Sequence, residues 1–99
     1  MSFIVTVHFV GDASRSDAIL RDDPDLAAGV RDAASRHGLR RSTRLLGEGE
    51  YLEIDEWDRQ EDREAFLTEM RPRLVEWHER AGIRMRSTPW RSARDDEVF

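Results

Sequence analysis

Alternating apolar and polar positions open the chain. Phe3–Val10 (FIVTVHFV) is rich in β-branched and aromatic residues and ends at Gly11-Asp12, which predicts a strand that runs into a turn. Because successive side chains of a strand point to opposite faces, one face of this strand is wholly apolar and the other admits two polar side chains. The apolar face holds Phe3, Val5, Val7 and Phe9, and the mixed face holds Ile4, Thr6, His8 and Val10.

A helix is predicted to begin near Asp22–Pro24, where two aspartates can cap its first turn and the proline suits its start. Its apolar residues recur at helical spacing, at Leu26, Val30 and Ala33 or Ala34. His37-Gly38 is predicted to end it, because glycine readily adopts the left-handed conformation that follows many helices.

Two further strands, Leu39–Leu46 and Tyr51–Trp57, flank a glycine-rich connection of hairpin length, Gly47–Glu50. A four-residue loop places Arg44 opposite Glu53, whereas a loop one residue shorter places it opposite Leu52, so we expect the first register. One hairpin face is then polar, with Arg40, Ser42, Arg44, Tyr51, Glu53, Asp55 and Trp57. The opposite face carries Leu39, Thr43, Leu45, Leu52 and Ile54.

A second amphipathic helix is expected after Asp58, its candidate cap. Pro72 predicts a kink or two abutting helices near Arg71, because proline lacks a backbone donor and clashes with the preceding turn. Gly82 ends the element, and Ile83–Trp90 reads as a last strand near a sheet edge. The apolar stripe of the helix comprises Phe66, Leu67, Met70, Leu74, Trp77 and Ala81.

The predicted order is strand, helix, strand, strand, helix, strand, which is the βαββαβ arrangement of the α+β ferredoxin-like fold with a four-stranded antiparallel sheet. Residues 1–91 form a single domain in this prediction, and residues 92–99 form a polar, frayed tail. Helices cover one face of such a sheet and leave the other bare. We therefore expect a homodimer in which two sheets pack face to face as a closed α+β barrel.

Charge and composition narrow the classes of partner. The 99 residues carry 16 basic and 21 acidic side chains, for a net charge of −5, which argues against a nucleic-acid partner. No apolar run is long enough to span a membrane, and Met1–Val10 lacks a signal-peptide pattern, so we expect a cytoplasmic protein that does not associate with membranes. Cysteine is absent and the three histidines are far apart in sequence, so we expect no metal site.

His8 is the first candidate for chemistry, because a strand interior seldom needs an imidazole. We expect Glu53 or Asp55 nearby, where a carboxylate would fix the tautomer of a general base. A half-buried histidine paired with a carboxylate in a dimer interface would give the same pattern. Glu53 and Asp55 share one strand face and could run acid–base chemistry, although ion pairs with Arg40, Arg44, Arg84 or Arg86 are the alternative.

Aromatic residues are the candidates for binding a flat ligand. Tyr51, Trp57, Trp77 and Trp90 could stack on an aromatic molecule and offer polar atoms at a pocket wall. The alternative for Trp77 is the core, given its place in the helical stripe. Trp57 and Trp90 end strands, where an aromatic side chain can instead close a barrel.

Three segments resemble a known family: the opening FIVTVHF, the segment HGLRRSTRLLGEGEYLEIDEW at His37–Trp57, and REAF at Arg63–Phe66. They are similar to framework motifs of the dimeric α+β barrel proteins that include the antibiotic-biosynthesis monooxygenase group. The resemblance implies a pocket between sheet and helices in each subunit. It also implies oxidation of aromatic polyketides or quinols without metal or flavin, and hence no cofactor.

The chain departs from the family where catalysis is concerned. Monooxygenase members typically carry a histidine shortly after the EAF-like motif, where this chain has Thr68, Glu69 and Met70. The heme-degrading relatives need an asparagine, and this sequence has none. His78 lies late in the second helix, at a loosely comparable place.

The functional expectation is a cofactor-independent monooxygenase-like or isomerase-like enzyme acting on a flat aromatic or quinone-like molecule. The expected catalytic residues are His8, His78 and Asp55, and the expected substrate contacts are Tyr51, Trp57, Glu53, Arg44 and Trp90. The alternative is a non-catalytic dimer that binds a small molecule or supports a neighbouring enzyme.

Overall fold

The computed structural model describes residues 3–91, which form seven helices and strands. The tail predicted at 92–99 lies outside the described residues. The order is β1 (Phe3–Val10), α1 (Ala13–Asp22), α2 (Pro24–Arg36), β2 (Leu39–Leu46), β3 (Glu50–Trp57), α3 (Gln60–Ala81) and β4 (Arg84–Arg91). The strands form one antiparallel sheet in the order β2-β3-β1-β4, which confirms the predicted ferredoxin-like fold.

The β2–β3 hairpin has the predicted register, with Leu46 opposite Tyr51 and Arg44 opposite Glu53. The loop closes with a hydrogen bond from the Gly47 amide to the Glu50 carbonyl, at 2.9 Å. A β-bulge between Leu39 and Arg41 shifts the start of β2, so Leu39 pairs with Trp57. The prediction that Leu39 shares the face of Leu52 is therefore wrong, because the extra residue reverses the alternation.

Two helices, rather than the one predicted, connect β1 to β2. The Asp12 side chain caps α1 by accepting from the Ser14 amide at 2.9 Å. Asp23 caps α2 in the same way, accepting from the Leu26 amide at 3.1 Å. The pattern of residues gave little sign of α1 because its one fully buried residue is a serine, Ser16.

The last helix, α3, runs unbroken through Pro72, so of the two predicted alternatives, a kink or two abutting helices, the second is wrong. Its N-cap residue is Arg59, without a side-chain cap, and the predicted cap Asp58 instead forms an ion pair with Arg40. Gly82 ends the helix in the left-handed region with φ of 70°, as expected. Since α3 packs against both α1 and α2, tertiary contacts hold the helix together across the proline.

The two sheet faces have different surroundings. The helices cover the first face, whose β1 residues are the buried Phe3, Val5, Val7 and Phe9. We call the second the open face; it contains Ile4, Thr6, His8, Thr43, Leu45, Leu52, Ile54, Arg86, Thr88 and Trp90. Nothing in the described chain covers the open face, and Leu45 and Trp90 are 53% and 54% exposed. None of the helices in residues 3–91 has the length and hydropathy needed to span a bilayer.

Candidate functional site

A cavity of about 800 Å³ lies between the helix-covered face of the sheet and the three helices. This volume falls within the range of small-molecule sites. Its sheet side is formed by alternate residues of β1 and β3, because side chains two apart on a strand share a face. The sheet residues include Val7, Phe9, Tyr51, Glu53, Asp55 and Trp57, and the helix residues include Ser16, Val30, Phe66, Leu67, Trp77 and His78.

Glu53 and Asp55 form a carboxyl pair in this cavity, and both are partly buried. Burial, followed by the neighbouring Asp55 charge, raises the pKa of Glu53 to about 8. Burial also raises the pKa of Asp55, while a hydrogen bond from Ser42 Oγ at 2.7 Å opposes that rise. Glu53 therefore holds a proton at neutral pH, and Asp55, whose rise in pKa is opposed by hydrogen bonds from Ser42 and Glu53, is the better proton acceptor of the two.

The arginines expected to neutralise this pair are engaged elsewhere. Arg44 lies opposite Glu53 in register, but its two terminal nitrogens bind the Asp17 carboxylate at 2.8 and 2.9 Å. Arg84 and Arg86 lie across from Val10 and His8 in β1, on the open face. The predicted ion pairs with Glu53 and Asp55 are therefore wrong. Asp17 on α1 binds Arg44, and alternation along β4 places Arg84 and Arg86 on the other face of the sheet.

Aromatic rings wall the cavity. The Phe9 ring stacks on Tyr51 with centroids 4.4 Å apart, and on His78 at 5.2 Å. Trp57 packs at a tilt against Phe66 at 5.3 Å. Within residues 3–91 the buried Trp57 indole nitrogen has no hydrogen-bond partner. Tyr51 and Trp57, two of the residues predicted to contact a ligand, both line the cavity.

His78 reaches the cavity from α3 and is buried, whereas the predicted core residue Trp77 is half-buried and also lines the cavity. The His78 Nδ1 lies 2.7 Å from the Leu74 carbonyl. A carbonyl can only accept, so we assign the proton to Nδ1 and leave Nε2 as an acceptor. Burial lowers the pKa of His78, so the ring is neutral at pH 7.

His8 and Trp90 lie outside the cavity, on the open face. The His8 Nε2 is 2.8 Å from Glu50 Oε1, and its cross-strand neighbours are Leu52 and Arg86. The Trp90 indole donates to Thr6 Oγ1 at 2.8 Å. The expected closeness of His8 to Glu53 or Asp55 is therefore wrong, because even-numbered positions of β1 face away from odd-numbered positions of β3.

Three arginines of the cavity lining escaped the sequence-based prediction: Arg31 on α2, and Arg63 and Arg71 on α3. Arg63 is partly buried, and the Asp55 charge acts on it. Only the packing of α2 and α3 over the sheet reveals their position. Among the described residues, no three histidine, aspartate or glutamate side chains cluster as metal ligands would.

No protein-family profile and no curated protein sequence matches this chain. Solved structures do match. A dimeric ferredoxin-like protein from an uncultured marine organism superposes with a TM-score of 0.65 at 12% identity, covering 96% of this chain and 97% of that one. SnoaB, a cofactor-independent oxygenase from Streptomyces nogalater, gives a TM-score of 0.64 at 13% identity, with 94% of each chain covered.

A third match is a monooxygenase from the gene ActVA-Orf6 of Streptomyces coelicolor, in complex with the ligand Nanaomycin D. Its TM-score is 0.56 at 14% identity, with 94% of this chain and 90% of that one covered. Identities this low establish shared architecture, while function depends on the side chains of the site. The chain therefore shares the ferredoxin-like fold of these three matched structures, and this confirms the fold that the family resemblance in its sequence implied.

Proposed function

We propose that the protein is a homodimer that binds a flat aromatic or quinone-like molecule in the cavity and catalyses proton transfer on it. The overall reaction would be that of a cofactor-independent monooxygenase-like or isomerase-like enzyme. The observation that carries the proposal is the carboxyl pair of Glu53 and Asp55, held in an aromatic-walled cavity of about 800 Å³.

Acid–base chemistry follows from the protonation states of the pair. Ionised Asp55 accepts a proton from an acidic C–H or O–H group of the ligand, and protonated Glu53 returns a proton elsewhere on the ring system. That sequence is an isomerisation. If the ligand anion instead reduces O₂, one oxygen atom enters the product and the other leaves as water, which is the stoichiometry of a monooxygenase.

Three side chains of the cavity support these steps. The neutral His78 offers an Nε2 lone pair as a second base, since its Nδ1 is engaged by Leu74. Tyr51 and Trp57 provide flat surfaces on the same strand as the carboxyl pair. His8 and Trp90 have no part in this mechanism because they lie on the opposite face of the sheet.

The matched structures support the chemistry by analogy. SnoaB is a cofactor-independent oxygenase, and the Streptomyces coelicolor monooxygenase is bound to Nanaomycin D. Both share the fold that encloses the cavity here. The carboxyl pair gives this chain its own means of moving a proton, so the proposal rests on the site and not on fold alone.

The open face supports the homodimer. Its central strands β1 and β3 present Ile4, Leu52 and Ile54, and Leu45 and Trp90 flank them. These apolar side chains lie among polar ones such as Thr6 and His8, and exposed large apolar side chains on one sheet face mark a site of association. One of the matched proteins is a dimeric ferredoxin-like protein. A second copy placed by a two-fold axis would bury both faces and leave each cavity beneath its own helices.

The test is O₂ consumption with anthrone and 1,4-naphthohydroquinone as probes, without added metal or flavin. Asp55→Asn removes the base, so we expect its rate to fall by at least about 100-fold relative to wild type. Glu76→Gln, an exposed acid on α3, is the matched control and should keep the wild-type rate. Ser87→Trp fills the β4 side of the cavity and should abolish both binding and turnover.

Binding of these probes without turnover would refute catalysis on them and favour a non-catalytic small-molecule-binding dimer. Equal rates in wild type and Asp55→Asn would refute the role of the carboxyl pair and direct attention to His78.

A further inference from the structure

Unpaired positive charge lines the helix side of the cavity. Arg31 of α2 and Arg63 and Arg71 of α3 all contribute to its wall. Among residues 3–91, no carboxylate lies within 4.0 Å of any of their guanidinium nitrogens. By contrast, Arg36, Arg40, Arg41, Arg44 and Arg59 all have carboxylate partners within that distance.

The cavity is positive although the chain is acidic. Arg44 and Asp17 neutralise each other and Glu53 is protonated, so Asp55 is the one remaining acid of the lining that faces three arginines without a carboxylate partner in residues 3–91. The whole chain has a net charge of −5. A local field of opposite sign to the net charge attracts anions into the cavity and repels cations.

Arg63 and Arg71 also act on each other. Arg63, Leu67 and Arg71 follow one another at four-residue intervals, so the two arginines lie on the same side of α3 with the cavity residue Leu67 between them. Burial lowers the pKa of the Arg63 guanidinium, the Asp55 charge opposes that change, and the Arg71 charge adds to it. Two like charges beside a cavity, one of them partly desolvated, are stabilised when an anion binds between them.

We propose that the molecule bound in the cavity is an aromatic anion, whose carboxylate or other oxyanion group is bound by Arg63 and Arg71. This inference rests on the proposed function and specifies its substrate class. The planar fork of a guanidinium binds an oxyanion through two hydrogen bonds, which fixes the orientation of the attached ring. The ring then lies across the aromatic wall, toward the carboxyl pair of β3. Arg31 adds attraction from α2.

The test uses two fluorescent probes that differ in one group. 1-Anilinonaphthalene-8-sulfonate carries an anionic sulfonate, and N-phenyl-1-naphthylamine is the same ring system without it. We expect the wild-type protein to bind the sulfonate about tenfold more tightly than the neutral probe. The preference should weaken as salt concentration rises, because ions screen the partly exposed arginines.

Substitution of the arginines tests whether the probes are bound through the charge of the sulfonate or through the shape of the ring system. Arg63→Gln should raise the Kd of the sulfonate by about tenfold and leave that of the neutral probe within about twofold. Arg71→Gln should act in the same direction with a smaller effect, because its side chain is exposed. Arg80→Gln is the matched control, since Arg80 is exposed on the same helix outside the cavity lining.

Two kinds of result would overturn the inference. Equal affinity of wild type for both probes, or equal loss of both in Arg63→Gln, would show that the cavity has no anion preference and would leave the proposed function standing. Failure of both probes to bind, or binding that Ser87→Trp leaves unchanged, would remove the cavity as a ligand site and the proposed function with it.

Discussion

Neutralising Glu53 should change how the stability of the protein depends on pH. In the unfolded chain its carboxyl titrates near its ordinary pKa of 4.5, whereas in the folded protein burial and the Asp55 charge raise the pKa to about 8. Between these two values the folded state binds more protons than the unfolded state, so the free energy of unfolding falls as pH rises. The loss begins above about pH 4.5 and is complete once pH exceeds about 8.

The size of the effect follows from the pKa change. Each unit of pKa corresponds to about 1.4 kcal/mol, so the full cost of ionising Glu53 is at most about 5 kcal/mol. Partial solvent access reduces that cost, and we expect a difference of about 2–4 kcal/mol between pH 5 and pH 9. Glu53→Gln keeps the shape and removes the titration, so its stability should exceed that of wild type increasingly as pH rises.

The assay is urea unfolding followed by tryptophan fluorescence at half-unit steps from pH 5 to pH 9, at one fixed protein concentration. Subtracting wild type from Glu53→Gln at each pH removes the contributions of groups that do not interact with Glu53, including His78, whose lowered pKa acts in the opposite direction below about pH 6.5. Glu76→Gln, an exposed acid on α3, controls for the loss of one charge. A difference that stays flat within about 0.5 kcal/mol would refute the raised pKa of Glu53.

Further predictions concern the dimer, a cap and the core. Ile54→Asp on the open face should give monomers in sedimentation velocity with wild-type circular dichroism; a monomeric wild type would contradict the dimer. Asp23→Ala removes the cap of α2 and should cost about 1 kcal/mol in urea unfolding, while Asp23→Asn, which can still accept, should cost less. Met70→Ala empties a core position that is 3% exposed and should cost about 2–5 kcal/mol; a cost below about 1 kcal/mol would mean that the core collapses around it.

Short-range patterns in the sequence, such as alternation, loop length and helix caps, predicted the strands and helices that depend on them. The strand alternation of Phe3–Val10 and the four-residue hairpin loop determined the faces of β1 and the pairing of Arg44 with Glu53. Asp23 and Gly38 marked the ends of α2 because capping acts over a few residues. The helix α1 escaped prediction because its one buried residue, Ser16, is polar and none of its other side chains is fully buried.

The candidate site was predicted only in part. Alternation along β3 places four cavity residues on one face, and this alternation can be read directly from the sequence. The four are Tyr51, Glu53, Asp55 and Trp57. His8 was placed wrongly because its position depends on which faces of β1 and β3 coincide, and that is a property of strand pairing. The arginines of the cavity, Arg63 foremost, could not be predicted because they depend on how the helices pack over the sheet.

The sequence by itself determined the ferredoxin-like order of elements apart from α1, the hairpin register and the paired carboxylates of β3. These features depend on side-chain periodicity and on turn geometry, which operate over a few neighbouring residues. Only the tertiary structure decided that Arg44 binds Asp17, that His8 lies away from the carboxyl pair and that Arg63 faces the cavity. Each of these depends on contacts between residues distant in the chain, and a shift of one position in pairing would reverse the face that every side chain of a strand occupies.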